Sequence, residues 1–227
     1  MSDFVVSSYT PTLNAIINAS GDHKTRQKFR GLLAVSQPNT PGHSALPDTK
    51  VELARIRQRV GHFTFDPLEG PVASVNNVVK GMESHSWVHL ACHAIQDRVE
   101  PTKSAFCLHD GNLELSTIIT NTFPHADFAF LSACQTATGD EKLSEEAVHL
   151  AAALMLSGYC SVIATMWSIN DHDAPMIADN VYSHLFSGKE PDSMNAALAL
   201  HRAVKCLRQQ KGDSAFLSWL PFIHVGI

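Results

Sequence analysis

Two short apolar runs in the middle of the chain each lead into a residue suited to nucleophilic or acid–base chemistry. Residues 87–91 precede His93, and residues 128–133 precede Cys134. Both runs are too short for average helices and rich in Val, Leu and Phe, which favours strands buried on both faces of a parallel sheet. Because catalytic groups collect beyond the carboxyl ends of such strands, we expect His93 and Cys134 to be neighbours. An imidazole beside a thiol is the arrangement that generates a thiolate nucleophile.

The composition is typical of one soluble α/β domain. The 227 residues suffice for a substantial core and no shift in composition divides them, so we predict a single domain over residues 1–227. With 17 basic and 22 acidic residues the net charge is -5, which favours neither nucleic acid nor a membrane as partner. No secretory leader opens the chain and no apolar run is long enough to cross a bilayer. We therefore expect a cytoplasmic, intracellular protein.

The five cysteines form neither an even set nor a CxxC pair, which argues against a disulfide framework and indicates a reducing compartment. Cys134 is followed by a polar loop that would leave its sulfur at a surface. The other four are interpreted as small buried hydrophobes: Cys92, Cys107, Cys160 and Cys206.

Metal and cofactor sites have little support in the sequence. His89 lies in the middle of its predicted strand and is interpreted as a buried core histidine. A zinc site of His89, His93 and Cys134 is the weaker alternative, because structural zinc ligands usually come in close pairs. No glycine-rich phosphate loop is present, so we predict no cofactor and no metal.

The remaining patterns alternate between helix and strand without an internal repeat, which predicts a layered α/β fold. A hairpin is predicted where Asp110-Gly111 separates two short apolar segments, residues 105–108 and 113–115. Further strands are predicted at residues 31–35, 63–65 and 161–166, and helices at residues 12–19, 50–59, 71–82, 145–156, 174–186 and 193–208.

Three ordered blocks of sequence resemble the CHAT domain, a caspase-like cysteine peptidase module often attached to tetratricopeptide repeats. The blocks are VHLACHA (88–94), LSACQTATGD (131–140) and VIATMWSIND (162–171). The stretches VSSYTP (6–11) and SWLPFIHVG (218–226) are also similar to that family. The resemblance therefore spans essentially the whole chain.

The resemblance implies a three-layer α/β/α sandwich with a mostly parallel central sheet, shared with caspases, separase and gingipains. It places His93 and Cys134 at the family's catalytic positions and implies cleavage of peptide bonds in protein substrates. The Cys134 thiolate would attack the scissile carbonyl, and the resulting acyl-enzyme would be hydrolysed. Backbone N–H groups of Cys134 and Ala94 would bind the oxyanion. Regulatory repeats upstream are also implied if the chain is part of a longer protein.

One departure from the family pattern bears on activity, because the chain has His93-Ala94 where the family usually has His-Gly. If that position requires a positive φ angle, alanine costs roughly 1–2 kcal/mol or displaces the N–H donor. An alternative function is therefore a weakened CHAT module acting as a protein-interaction or scaffold domain. The presence of both His93 and Cys134 favours an endopeptidase, since a binding module needs neither. A thiol acyltransferase or a hydrolase of small substrates would share the same nucleophile.

Residues 167–173 resemble the Trp-Asp-x-Thr-Asp segment of separase, which selects a basic residue. The segment follows the strand after the nucleophile, where a specificity pocket would form in a doubly wound sheet. Asp173 precedes Ala174-Pro175 and has the alternative role of capping the next helix, whereas Asp171 has less reason to cap. We expect Asp171, helped by Asp173, to pair with an Arg or Lys of the substrate before the scissile bond.

Overall fold

Helices and strands alternate along the chain in a computed structural model that describes residues 5–10, 28–97, 99–132, 134–135 and 146–226, with the main chain alone for 134–135 and 146–149. The strands are β1 (Leu32–Ser36), β2 (Phe65–Glu69), β3 (Trp87–Ala91), β4 (His93–Ile95), β5 (Ala105–Cys107), β6 (Asn112–Glu114), β7 (Phe128–Leu131), β8 (Cys134–Gln135), β9 (Ser161–Thr165) and β10 (Phe222–Gly226). The helices are α1 (Asp48–Val60), α2 (Val75–Ser84), α3 (Leu115–Thr120), α4 (Glu146–Leu156), α5 (Ala174–Leu185), α6 (Ala196–Lys211) and α7 (Phe216–Trp219). Within these ranges no helix combines the length and the apolar character needed to span a bilayer. The helix predicted at residues 12–19 lies outside the described residues.

The central sheet has six strands in the order β10-β9-β7-β3-β1-β2. Parallel pairing joins β2, β1, β3, β7 and β9 in turn, and β10 runs antiparallel to β9. Every residue of β1, β3, β7 and β9 is buried, as expected for parallel strands covered on both faces. The mostly parallel central sheet predicted above is confirmed.

Successive residues of the strands pack against helices on opposite faces of the sheet, because side chains alternate along a strand. One apolar cluster contains Leu33 and Val88 together with residues of α2, α3 and α4. The other contains Leu32 and Trp87 together with residues of α1, α5 and α6. The molecule is therefore a three-layer α/β/α sandwich.

A second, smaller sheet has the order β6-β5-β4-β8 and lies at the carboxyl ends of two central strands. The chain passes from β3 through Cys92 into β4, and from β7 through residues 132–133 into β8. The predicted hairpin is confirmed, since β5 and β6 are antiparallel and Leu108 N donates to Gly111 O at 2.9 Å. In the second sheet, β4 and β8 thus continue the direction of the chain from β3 and β7 beyond the central sheet.

Some element bounds differ from the sequence prediction for local reasons. The strand expected at 63–65 begins only at Phe65 and continues through Pro67, which is tolerated because β2 is an edge strand. The helix expected from residue 71 begins at Val75, since residues 70–72 form a 3₁₀ turn and the Ser74 hydroxyl caps the helix by accepting from Asn77 N. The helix expected from residue 193 is likewise preceded by a 3₁₀ turn and runs on to Lys211.

The opposite edge of the central sheet is accompanied by the N-terminal segment. Tyr9 forms an isolated parallel bridge with Val225. Tyr9 N donates to His224 O and Gly226 N donates to Tyr9 O, each at 2.8 Å. The N-terminal segment around Tyr9 therefore pairs with β10, near the other end of the sequence.

Candidate active site

His93 and Cys134 are the first residues of β4 and β8, which are hydrogen-bonded neighbours in the second sheet. The two strands are parallel, and the Cα atom of His93 lies opposite that of Cys134. The same offset of 41 positions relates β3 to β7, where Leu90 lies opposite Leu131. A single register therefore continues from the central sheet into the second one and sets His93 level with Cys134.

The His93 ring is buried and held in one tautomer. Its side chain is 2 % exposed, and Nε2 lies 2.8 Å from the carbonyl oxygen of Ser44. Because a carbonyl oxygen can only accept, Nε2 carries a proton and donates it. In the neutral ring Nδ1 then bears the lone pair, and no group among the described residues forms a hydrogen bond with this buried atom. His93 therefore presents Nδ1 as its basic atom.

The loop after β1 supplies a second contact to His93. The His43 ring stacks on the His93 ring, with centroids 5.0 Å apart and planes inclined by 23°. Burial lowers the pKa of His43, and the adjacent His93 lowers it further, so the neutral form is favoured. The loop thus holds the catalytic candidate by its ring face and by Nε2. Neither contact has a strong sequence signal. The Ser44 contact uses a backbone carbonyl, which any residue supplies.

Asp171 caps a helix distant in the sequence, contrary to the expectation that it has less reason to cap. Its Oδ2 accepts a hydrogen bond of 2.9 Å from Asp48 N, the first residue of α1. Burial raises the pKa of Asp171, and the nearby carboxylates of Asp48 and Glu52 also raise it, against opposing effects of the Asp48 N–H and His172. The region around Asp171 is therefore rich in negative charge.

Asp171 and His93 are both attached to the same stretch of chain. His93 contacts the Ser44 carbonyl, and Asp171 contacts the N–H of Asp48. Those two attachment points are four residues apart, so even a fully extended chain separates them by no more than about 14 Å. The stretch 44–48 thus contacts both His93 and Asp171.

Asp173 occupies a different environment from Asp171. It is 2 % exposed, and Oδ1 lies 2.7 Å from Lys211 Nζ at the end of α6. It stands at the N-cap position of α5, but its side chain makes no capping hydrogen bond there. The alternative role as a side-chain cap is therefore not realised, because the carboxylate is turned to Lys211.

Ala94 lies inside β4 and is paired on both sides, opposite Phe106 of β5 and Gln135 of β8. Strand backbone has a negative φ angle. The cost expected for alanine at a positive φ therefore does not arise. This removes the reason for treating Ala94 as a mark of an impaired site.

The remaining cysteines divide into two groups. Cys92 and Cys107 are buried, as predicted, and burial raises the pKa of Cys107 to about 11, which keeps it a thiol. The prediction of burial is wrong for Cys160, which is exposed, and for Cys206, which is partly exposed. Cys160 directly precedes β9, and Cys206 is not among the buried positions of α6. The two buried cysteines lie in β5 and between β3 and β4, inside the sheet layers.

The interpretation of His89 as a buried core residue is confirmed. Its ring is 0 % exposed and contacts the rings of Phe130 and Tyr182. Its Nε2 lies 3.1 Å from Glu52 Oε1, an ion-pair distance without the geometry of a hydrogen bond. Among the described residues no cluster of three or more potential metal ligands occurs.

Comparison with known proteins identifies the family. A family model for the CHAT domain matches residues 2–227. The crystal structure of gingipain R (RgpB), an Arg-specific cysteine proteinase, superposes with a TM-score of 0.62 at 15 % identity, over 94 % of this chain and 51 % of that one. The complex of the Porphyromonas gingivalis RgpB pro- and mature domains gives 0.61 at 12 % identity, over 94 % and 52 %.

The chain thus spans about half the length of these structures, and at such identities the likeness concerns the fold. No curated protein matches the chain. The family match, by contrast, runs over nearly all residues. The chain belongs to the CHAT domain family and has its caspase-like α/β/α fold.

Proposed function

We propose that the chain is a cysteine endopeptidase in which Cys134 is the nucleophile and His93 is its general base. The observation that carries this proposal is the register of β4 and β8, which sets the two residues opposite each other. Neighbouring strands are about 5 Å apart, a separation that a thiol and an imidazole can bridge in a resting site. Cys107, the thiol opposite His93 on the other side, has a raised pKa and is unsuited to the same role.

The tautomer of His93 assigns the proton transfers. Nδ1 takes the proton of Cys134 Sγ, and the thiolate attacks the scissile carbonyl carbon, forming a C–S bond and an oxyanion. The oxyanion collapses, the C–N bond breaks, and the leaving amine takes the proton from Nδ1. Water then attacks the thioester carbonyl carbon while Nδ1 accepts its proton. The C–S bond breaks to release the carboxylic acid product, and the return of the proton from Nδ1 to sulfur restores the thiol. The Ser44 carbonyl stabilises the imidazolium by accepting from Nε2–H throughout.

Backbone N–H groups at the start of β4 and β8 are the proposed oxyanion donors, namely those of Ala94 and Cys134. Loss of one such donor typically lowers kcat by roughly 10²–10³-fold. These donors belong to the main chain, so the proposed role does not depend on the side chain of Ala94.

A basic residue before the scissile bond is the proposed specificity, with Asp171 as its partner. Burial and repulsion from the neighbouring carboxylates of Asp48 and Glu52 raise the pKa of Asp171, and the nearby His172, which pairs with Asp48, offsets part of that repulsion. An incoming guanidinium or ammonium would relieve that repulsion in a partly desolvated place. Lys211 already balances Asp173, so the preference is assigned to Asp171 alone. The similar gingipain R is an Arg-specific cysteine proteinase.

The decisive experiment is labelling with peptide acyloxymethyl ketones that differ only in the side chain before the warhead. We expect the Arg and Lys probes to label the protein, and Cys134→Ala to abolish labelling. Cys107→Ala is the matched control, because Cys107 lies opposite His93 in the neighbouring strand β5. Labelling that disappears in Cys107→Ala and persists in Cys134→Ala would overturn the assignment. Absence of labelling by any probe would favour the interaction-module alternative.

A further inference from the structure

We propose that Glu52 is a positioning residue that fixes the register between the strands carrying His93 and Cys134. The consequence for catalysis rests on the proposed function, whereas the register effect does not. Glu52 lies on the buried face of α1 and is 1 % exposed, an unusual place for a carboxylate.

The Glu52 carboxylate links the two catalytic strands directly. Oε1 lies 3.1 Å from Nε2 of His89 in β3, an ion-pair distance without the geometry of a hydrogen bond, and Oε2 accepts a hydrogen bond of 3.1 Å from Ser132 Oγ. His89 comes four residues before His93, and Ser132 comes two residues before Cys134. One side chain from the helix layer therefore contacts the middle of β3 and the residue directly after β7.

The other nitrogen of His89 is hydrogen-bonded, which restricts the orientation of the ring. Nδ1 lies 3.2 Å from the Tyr182 hydroxyl of α5. Glu52, His89, Ser132 and Tyr182 are 1 %, 0 %, 4 % and 0 % exposed. These four residues, here called the Glu52 clamp, form a polar group beside apolar neighbours such as Ile56 and Phe130.

Stability alone is a poor reason for such a group. Burying a charged side chain costs free energy that its contacts must repay, and well-packed apolar replacements are often neutral or stabilising. Buried polar groups are better attested as devices that select one arrangement among several. The arrangement in question here is the pairing of β3 with β7.

The apolar residues of these strands select their register weakly. Register is strongly specified where one face of a strand is buried and the other is polar, because a slip of one residue exchanges the faces. Both faces of β3 and β7 are buried, so a slip would exchange one apolar face for another. The link from His89 through Glu52 to Ser132 does depend on the register. Since the same register continues to His93 and Cys134, the clamp sets the geometry of the dyad.

Ser132→Ala tests this clamp in the full-length chain, because it removes one hydroxyl and leaves His89 and Glu52 in place. We expect amide hydrogen exchange in residues 128–135 to become roughly tenfold faster. The rate of Cys134 alkylation by iodoacetamide, measured by peptide mass spectrometry, should change by a similar factor in either direction. On a cleaved peptide, kcat should fall roughly 10- to 100-fold with little change in KM. Glu52→Gln should act in the same direction, and Ser132→Thr, which keeps the hydroxyl, should restore most of each effect.

Ser161→Ala is the matched control. Ser161, at the start of β9, is also a buried serine, and its hydroxyl is hydrogen-bonded to the buried His224. The inference is overturned if Ser132→Ala and Glu52→Gln leave exchange and alkylation at wild-type rates, or if Ser161→Ala changes them equally. Exchange and alkylation need no peptidase activity. A wild-type chain that cleaves nothing would therefore refute the proposed function while these two measurements still decide the clamp.

Discussion

Two buried histidines at opposite places in the molecule show what distinguishes a candidate catalytic residue from a structural one. His93 at the start of β4 and His224 in β10 are each 2 % exposed. Both ring nitrogens of His224 are bonded, Nε2 to Ser161 Oγ at 2.8 Å and Nδ1 to Ser8 Oγ at 2.7 Å. At His93, Nε2 is bonded and Nδ1 has no partner among the described residues.

Proton positions explain why the second histidine has no base to offer. The Ser8 hydroxyl lies 2.7 Å from the Gly226 carbonyl and donates to it. Ser8 therefore accepts from Nδ1–H of His224, and Nε2 accepts from the Ser161 hydroxyl. Burial lowers the pKa of His224 to about 4, which keeps the ring neutral. The comparison teaches that burial alone does not mark a catalytic histidine, and that His93 differs from His224 in having one ring nitrogen without a hydrogen-bond partner among the described residues.

The strongest way to break the comparison is to remove each histidine in turn. We expect His93→Ala to lower kcat/KM by roughly 10⁴-fold or more, as losses of catalytic residues do, with Cys134→Ala equally inactive. His224→Ala should leave kcat/KM within a few-fold of wild type once folded protein is selected. Peptide hydrolysis under matched conditions measures the ratio. A His93→Ala protein that keeps a tenth of the activity would contradict the dyad.

The acid stability of the protein sharpens the structural side of the comparison. Because the folded-state pKa of His224 is about 4 against 6.5 for the free group, the unfolded chain binds more protons between these values. The free energy of unfolding should therefore fall as the pH drops from 6.5 to 4, with His224 accounting for roughly 3 kcal/mol. Denaturant unfolding of wild type and His224→Gln across that range measures this. Equal slopes in the two proteins would show that another group is responsible.

Asp171→Asn should alter substrate choice without abolishing catalysis. We expect kcat/KM to fall roughly tenfold for peptides with Arg or Lys before the scissile bond and to stay level for apolar ones. Since the pKa of Asp171 is raised, its carboxylate is protonated at a higher pH than that of an ordinary aspartate. As the pH falls, the wild type should therefore lose its preference for basic residues at a higher pH than it would with an ordinary aspartate. Asp179→Asn is the matched control, because Asp179 also holds α1, through Arg59. Equal effects of both variants would indicate displacement of α1 rather than a pocket.

The smallest effect is expected at Ala94. Because this residue has strand backbone, Ala94→Gly relieves no strain and adds flexibility to the unfolded chain, which lowers stability by roughly 0.5–1 kcal/mol. We expect no gain in turnover number. Thermal unfolding and steady-state kinetics together measure both quantities. A higher kcat in the variant would show that the family's glycine has a conformational purpose here.

The layered α/β class was predictable from local strand and helix patterns, whereas the three-layer sandwich was expected from the resemblance to the CHAT domain. The apolar runs ending near His93 and Cys134 are buried strands, and the equal spacing of 41 positions along both strand pairs is visible in the chain itself. The contacts around the site were not predictable. Ser44 acts through a carbonyl, which has no residue signature, and Asp171 bonds a main-chain N–H of a helix 123 positions away.

The role of Glu52 was not predicted from the sequence, since a charged residue in an amphipathic helix is normally a surface residue. Its position gave one hint, because α1 buries Thr49, Leu53 and Ile56, and Glu52 falls among them at helical spacing. Its two partners, however, lie on strands that only the folded sheet brings together. Sequence periodicity can locate such a residue on a buried face but cannot name what it binds there.

The two outer strands of the central sheet have a consequence for association with other polypeptides. An outer strand with free donors and acceptors is a template on which a foreign strand can pair and aggregate. At β2, pairing with a foreign strand is opposed by Pro67, which lacks an N–H donor, and by the charges of Asp66 and Glu69. At β10 the main chain of Tyr9 occupies two of the outward groups. The sheet is thus protected against uncontrolled growth at both margins, by chemistry at one and by its own N-terminal segment at the other.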